Sequence, residues 1–160
     1  MAKRNTTKFK SNKQEKDVAK QFEGKQVIAS GSLWFADSDV RNNKFLIECK
    51  TTAKDFYSIT TRVWSKIEKE ALKDRMRTPL LVVDLKDCER YVIFNPKHFI
   101  TQLNTYEVAH SVHGGCASYR LKGYSKEDLP ILFSINKDGN KYTLLAMKID
   151  EFLDKFKEEL

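Results

Sequence analysis

The sequence predicts an α/β or α+β fold in which a mixed central sheet is flanked by helices, and three observations carry that expectation. The longest apolar runs, such as Pro79-Leu80-Leu81-Val82-Val83, are of strand length and too short to span a bilayer. Val63, Ile67 and Ala71 recur at helical spacing. The elements follow one another as helix, strands, helix, strands, an order that lays helices against a sheet.

The first helix is expected from about Ser11 to Phe22, with Ser11 or Asn12 as cap and Val18, Ala19 and Phe22 as its apolar side; Glu15 lies on it. Gln26-Val27-Ile28-Ala29 is a short strand, followed by the flexible turn Ser30-Gly31-Ser32. Ser38 to Lys50 reads as two strands joined by a turn at Asn42-Asn43, because asparagine tolerates the positive φ that a two-residue hairpin needs. A helix then runs from about Thr60 to Arg75, with Val63, Ile67, Ala71 and Asp74 in one row and Trp64 beside it. Strands follow at Leu80 to Leu85 and Arg90 to Phe94. Residues 96–123 show no clear period. Leu129 to Ile135 and Lys141 to Lys148 form a hairpin across Asp138-Gly139, and Ile149 to Leu160 closes the chain as an amphipathic helix.

At 160 residues and 41% hydrophobic content, the chain can bury the core of one domain, here taken as residues 1–160. Cys49, Cys88 and Cys116 are odd in number and contain no CxxC pair, the pattern of free thiols in a reducing cytoplasm. The Lys-rich amino terminus has no apolar stretch behind it, so a soluble, unexported protein with no membrane partner is expected. The net charge is +7, and residues 1–20 hold seven bases (Lys3, Arg4, Lys8, Lys10, Lys13, Lys16, Lys20) against Glu15 and Asp17. Residues 1–11 read as a flexible basic arm suited to a phosphate backbone, although charge alone describes a solvated tail equally well.

Side chains alternate faces along a strand, so Glu48 and Lys50 point the same way. With the turn at Asn42-Asn43, Asp39 faces Leu46 and Asp37 faces Glu48, which gathers two aspartates, a glutamate and a lysine on one face. Crowded carboxylates repel unless a cation lies between them, and hard oxygen donors suit Mg²⁺ or Mn²⁺. A metal of that kind, with a lysine beside it, is equipment for phosphodiester hydrolysis. The three-residue pattern Glu48-Cys49-Lys50 also describes a solvated strand whose two charges pair. His110, His113 and Cys116 are spaced three apart, but a fourth zinc ligand is not evident.

The whole segment is more specific. Gly31-Ser32, Asp39-Val40-Arg41 and Phe45-Leu46-Ile47-Glu48-Cys49-Lys50-Thr51-Thr52 resemble PD-(D/E)XK endonucleases of the archaeal Holliday-junction-resolvase type, especially small phage-encoded relatives. Glu15 on the first helix, the turn before Leu33, Asp39 and Glu48-x-Lys50 occur in that family's order, and the resemblance extends over residues 12–85. It implies a restriction-endonuclease-like core and a Mg²⁺-dependent endodeoxyribonuclease, with Mn²⁺ as substitute. Asp39, Glu48 and the backbone carbonyl of Cys49 would bind the metal, with Glu15 joining directly or through water. Lys50 would orient the attacking water, and Ser32 together with Lys3, Arg4, Lys8, Lys10 and Lys13 would contact DNA. The implied products are a 5′-phosphate and a 3′-hydroxyl. Branched or duplex DNA, a homodimer, and the cytoplasm of a phage-infected or prokaryotic cell are further implications.

The chain departs from the family pattern where Ser38 replaces the hallmark proline and where only nine positions separate Asp39 from Glu48. Asp37 therefore stays open as an alternative ligand. Another nuclease of the same superfamily (nicking, restriction or end-processing) and a non-catalytic DNA-binding accessory are the competing functions.

Overall fold

The computed structural model describes residues 2–27, 38–99, 110–112, 116–156 and 158. Helix α1 spans Ala2–Gln21, and short strands β1 (Lys25–Gln26) and β2 (Val40–Arg41) lead to β3 (Phe45–Thr51). Strand β4 (Phe56–Thr60), helix α2 (Thr61–Lys73), β5 (Thr78–Asp84) and β6 (Arg90–Phe94) follow. The remaining elements are β7 (His110–Val112), β8 (Ser118–Lys122), β9 (Ile131–Lys137), β10 (Asn140–Lys148) and helix α3 (Ile149–Lys155).

Eight strands form one mixed sheet in the order β1-β2-β3-β5-β6-β10-β9-β7. The β3–β5 and β7–β9 pairs are parallel and the others antiparallel. Parallel neighbours need a crossover, and α2 lies between β3 and β5 in the chain. The strands of the central sheet carry apolar side chains on both faces. One face packs Val18 and Phe22 of α1 and Phe152 of α3 against Phe45, Ile47, Val82, Phe94 and Met147. The other packs Trp64 and Ile67 of α2 against Leu81, Val83, Ile93, Phe133 and Ala146. The mixed sheet flanked by helices is the architecture expected from the sequence.

Element by element, the agreement is uneven. Helix α2 starts where the sequence places it, because the Thr60 hydroxyl accepts from the Val63 N–H at 3.2 Å as an N-cap. The β9–β10 hairpin turns at Asp138-Gly139, both at positive φ. Helix α1 begins at Ala2 rather than at Ser11, so helical backbone runs through the segment read as an arm. The second hairpin differs in register: Arg41 pairs with Leu46 and Val40 with Ile47, which moves the tip to Asn43-Lys44. Neither asparagine takes positive φ. Instead the Asn42 side-chain oxygen accepts from the N–H groups of Lys44 (2.9 Å) and Phe45 (2.7 Å), a side-chain-built turn with Asn42 before the tip. Strand β4 pairs with β8 in a separate two-stranded ribbon that the sequence reading left unassigned.

Candidate active site

Asp39 lies one residue before β2, and its carboxylate is held over β3 close enough to Glu48 and Lys50 for both charges to act on it. The Asp39 backbone N–H donates to the Ile47 carbonyl at 3.2 Å. Its Oδ2 accepts from the Cys49 N–H at 2.7 Å, which fixes the carboxylate against β3. Lys50 Nζ meets Glu48 Oε1 at 2.5 Å.

This is a patch with a buried acid and an open base. The Glu48 side chain is 6% exposed and that of Lys50 38%. The second Glu48 oxygen, Oε2, is buried and has no hydrogen-bond partner among the described residues, an arrangement that costs free energy in a folded protein unless something else satisfies it. Burial, reinforced by the charge of Glu48, pushes the Asp39 carboxyl up to about 6, against the opposing pull of the Cys49 N–H and Lys50. Burial works to lower the Lys50 pKa, but its hydrogen bond to Glu48 and the charges of Glu48 and Asp39 outweigh it and raise the net value. The Cys49 thiol is buried in the core, and burial holds its pKa well above the usual thiol range, so it contributes no thiolate.

Glu15 stands apart from this pair. Its carboxylate accepts from Gln26 Nε2 at 2.6 Å and from the Ser11 hydroxyl at 3.2 Å, although it is close enough for its charge to add to the rise at Asp39. Among the described residues no three His, Cys, Asp or Glu side chains stand close enough together to hold one ion. Among the described residues the pair that fits a hard divalent cation is Asp39 and Glu48, whose unsatisfied Glu48 oxygen and mutual repulsion positive charge would relieve.

Lys8, Lys10 and Lys13 are exposed on α1. Lys10 and Lys13 line a cleft of mixed charge that opens at the end of β3 just beyond Lys50, where Lys86, Arg90 and Lys148 face Asp17, Asp84, Asp87, Glu89 and Asp150. Lys3 and Arg4 lie on helical backbone, and their side chains are not described. Ser32 and the alternative ligand Asp37 fall outside the described residues.

One residue at the site was not singled out for it from the sequence. Gln14 is buried and donates from Nε2 to the Lys50 carbonyl at 2.9 Å, tying α1 to the strand that bears the acid and the lysine. Its signal was available: Gln14, Val18 and Phe22 share one helical row, and a polar residue at its head implies a specific partner. Tyr57 on β4 is close enough to feel the charges of Lys50 and Glu48, while burial raises its hydroxyl pKa.

No protein-family profile and no curated protein matches the chain. Among solved structures, it is similar to Hjc, a Holliday junction resolvase from the archaeal hyperthermophile Archaeoglobus fulgidus, at 14% identity and a TM-score of 0.42, over 68% of this chain and 83% of that one.

Proposed function

We propose that the chain is a divalent-metal-dependent DNA endonuclease, acting on branched DNA in the manner of a junction resolvase. The observation that carries the reading is the patch itself: the Asp39 carboxylate held over β3 within reach of the Glu48 charge, a buried Glu48 oxygen without a partner among the described residues, and a lysine that reaches solvent beside them. Purely structural charge pairs seldom leave a buried carboxylate oxygen unsatisfied, and DNA binding alone does not require acids there.

Asp39 and Glu48 would hold Mg²⁺, or Mn²⁺ in its place, with the Cys49 carbonyl and Glu15 as further donors. When bound, the cation supplies polarisation of the scissile phosphate and a lowered pKa for the attacking water. The protein's own groups do the rest. The Cys49 N–H keeps Asp39 aimed, and Gln14 braces the Lys50 backbone. Lys50 offers its ammonium to the phosphate oxygens as negative charge builds on them. Lys10 and Lys13 on α1 would contact the phosphate backbone of the bound strand from the mixed-charge cleft beside it. Cutting a symmetric junction would call for two such sites related by a two-fold axis, hence a homodimer.

The test incubates wild type and the Asp39→Ala, Glu48→Ala and Lys50→Ala variants with labelled four-way junction, flap and linear duplex, in Mg²⁺, Mn²⁺ or EDTA. The expected result is metal-dependent cutting that all three variants lose while DNA binding survives, with the junction preferred. Binding without cutting on every substrate and metal overturns the enzyme reading.

A further inference from the structure

The ribbon formed by β4 and β8 stands outside the main sheet. Its register pairs Phe56 with Lys122, Tyr57 with Leu121, Ser58 with Arg120 and Ile59 with Tyr119. Alternation then sorts the side chains. Ile59 and Leu121 are fully buried, and Tyr57 and Tyr119 pack beside them against the α2 side of the core. Phe56, Ser58, Arg120 and Lys122 share the outward face.

An aromatic ring on that face is unexplained by folding, since the inward residues already seat the ribbon. Phe56 is half-buried, and what covers it is cationic. The Arg120 guanidinium lies over its ring at 4.4 Å and Lys54 Nζ at 5.3 Å. Both cations and Lys122 are exposed, and among the described residues none of the three forms an ion pair. The face is thus a cation-rich platform built on an aromatic ring, and acidic density is what would complement it.

Its position relative to the acidic patch is fixed. Only five residues separate Lys50 from Phe56, and the link is pinned by Thr52 N–H to the Asp84 carbonyl (3.0 Å) and by Lys86 N–H to the Lys54 carbonyl (2.9 Å). On the inner face, Tyr57 lies within reach of the Lys50 and Glu48 charges.

We propose that the outer face of the β4–β8 ribbon binds unpaired DNA next to the cutting site: a nucleobase extends the Phe56–Arg120 stack while Lys54 and Lys122 hold the flanking phosphates. The proposal rests on the nuclease reading for the identity of its ligand. Bases stack on aromatic rings and guanidinium planes whatever their sequence, so the platform selects DNA with exposed bases over continuous duplex. A second copy of this chain is a poorer occupant, because a self-contact would bring like charges together.

Fluorescence anisotropy in EDTA, with full-length protein, separates these outcomes. The probes are a labelled single strand, a forked duplex and a blunt duplex, each titrated at several salt concentrations. Phe56→Ala is expected to weaken single-strand and fork binding by about 5- to 100-fold, with blunt duplex little changed and Phe56→Trp restoring affinity. The Arg120→Ala/Lys122→Ala variant is expected to flatten the salt dependence on single strands by about 0.7 per cation removed. Unfolding midpoints confirm that each variant is folded. Equal losses on all three probes, or wild-type affinity in folded Phe56→Ala, overturn the proposal, as does a loss of self-association in place of DNA affinity. Cleavage run in parallel distinguishes failures: metal-dependent cutting with an indifferent ribbon sinks the platform alone, whereas a working platform without cutting sinks the nuclease.

Discussion

Replacing Asp39 with asparagine should stabilise the metal-free protein at neutral and alkaline pH, and the size of the effect follows from where Asp39 sits. Its carboxyl is pushed up from 3.8 to about 6 in the folded chain by burial and by Glu48. A folded pKa above the unfolded one means that the native state binds the proton more tightly. This contribution is fully present below about pH 4 and is lost as pH rises through 6. A shift of roughly two units corresponds to about 3 kcal/mol; partial exposure and screening reduce it to about 2 kcal/mol. Asparagine carries no charge to desolvate and retains an oxygen to accept the Cys49 N–H. In EDTA, urea unfolding should therefore find Asp39→Asn and wild type similar at pH ~3.5 and the variant more stable by about 2 kcal/mol at pH ~8. Saturating Mg²⁺ should reverse the order at pH 8, because it stabilises the carboxylate that asparagine lacks. A difference between the two proteins that does not change with pH, or a wild type that is the more stable in EDTA at pH 8, refutes the reasoning.

Two further changes probe the same patch from other sides. Glu48→Gln should lower metal-dependent cutting by about 10²–10³-fold, the range that loss of one preorganised electrostatic group costs. It should also bring the Asp39 pKa down toward its ordinary value, since Glu48's charge is the second cause of its rise; carboxylate NMR titration in EDTA reads this directly. Arg77→Ala should destabilise the fold by about 2 kcal/mol in urea unfolding, because the guanidinium, 11% exposed, donates to the Asn42 and Asp74 carbonyls and pairs with the Asp74 carboxylate. As Arg77 anchors the carbonyl of Asn42 at the hairpin that aims Asp39, amide exchange should quicken at Asn42 and Phe45; unchanged exchange would detach Arg77 from the hairpin.

What was legible in the sequence is what short-range physics controls. Helix α2 shows itself through apolar spacing and a threonine cap, and β9–β10 through alternation around Asp138-Gly139. The pairing of Glu48 with Lys50 follows from strand alternation alone. The start of α1 was not legible, because a Lys-rich polar segment has no apolar row to mark it. Strands β4 and β8 were missed for a different reason. They pair across more than fifty residues, and Phe56-Tyr57-Ser58-Ile59 holds only two buried positions' worth of alternation, too little to announce a strand without its partner.

The hairpin shows why a site can be read correctly from an incorrect turn. Sequence rules favour asparagine in a two-residue turn for its tolerance of positive φ, yet here Asn42 works through its side-chain oxygen, and the tip lies one residue further on. Moving the tip by one shifts each cross-strand partner by two, and a shift of two leaves every side chain on its original face. The gathering of Asp39, Glu48 and Lys50 therefore survives the error, with Asp39 close enough to Glu48 for their charges to interact. Burial first and the Glu48 charge second raise the Asp39 pKa, and they do so beside a buried oxygen with no partner among the described residues. A patch that could have been a passive pair on a solvated strand is thereby one whose charges are left in want of a cation, and the pH-dependent stability of Asp39→Asn measures that want without any assay of activity.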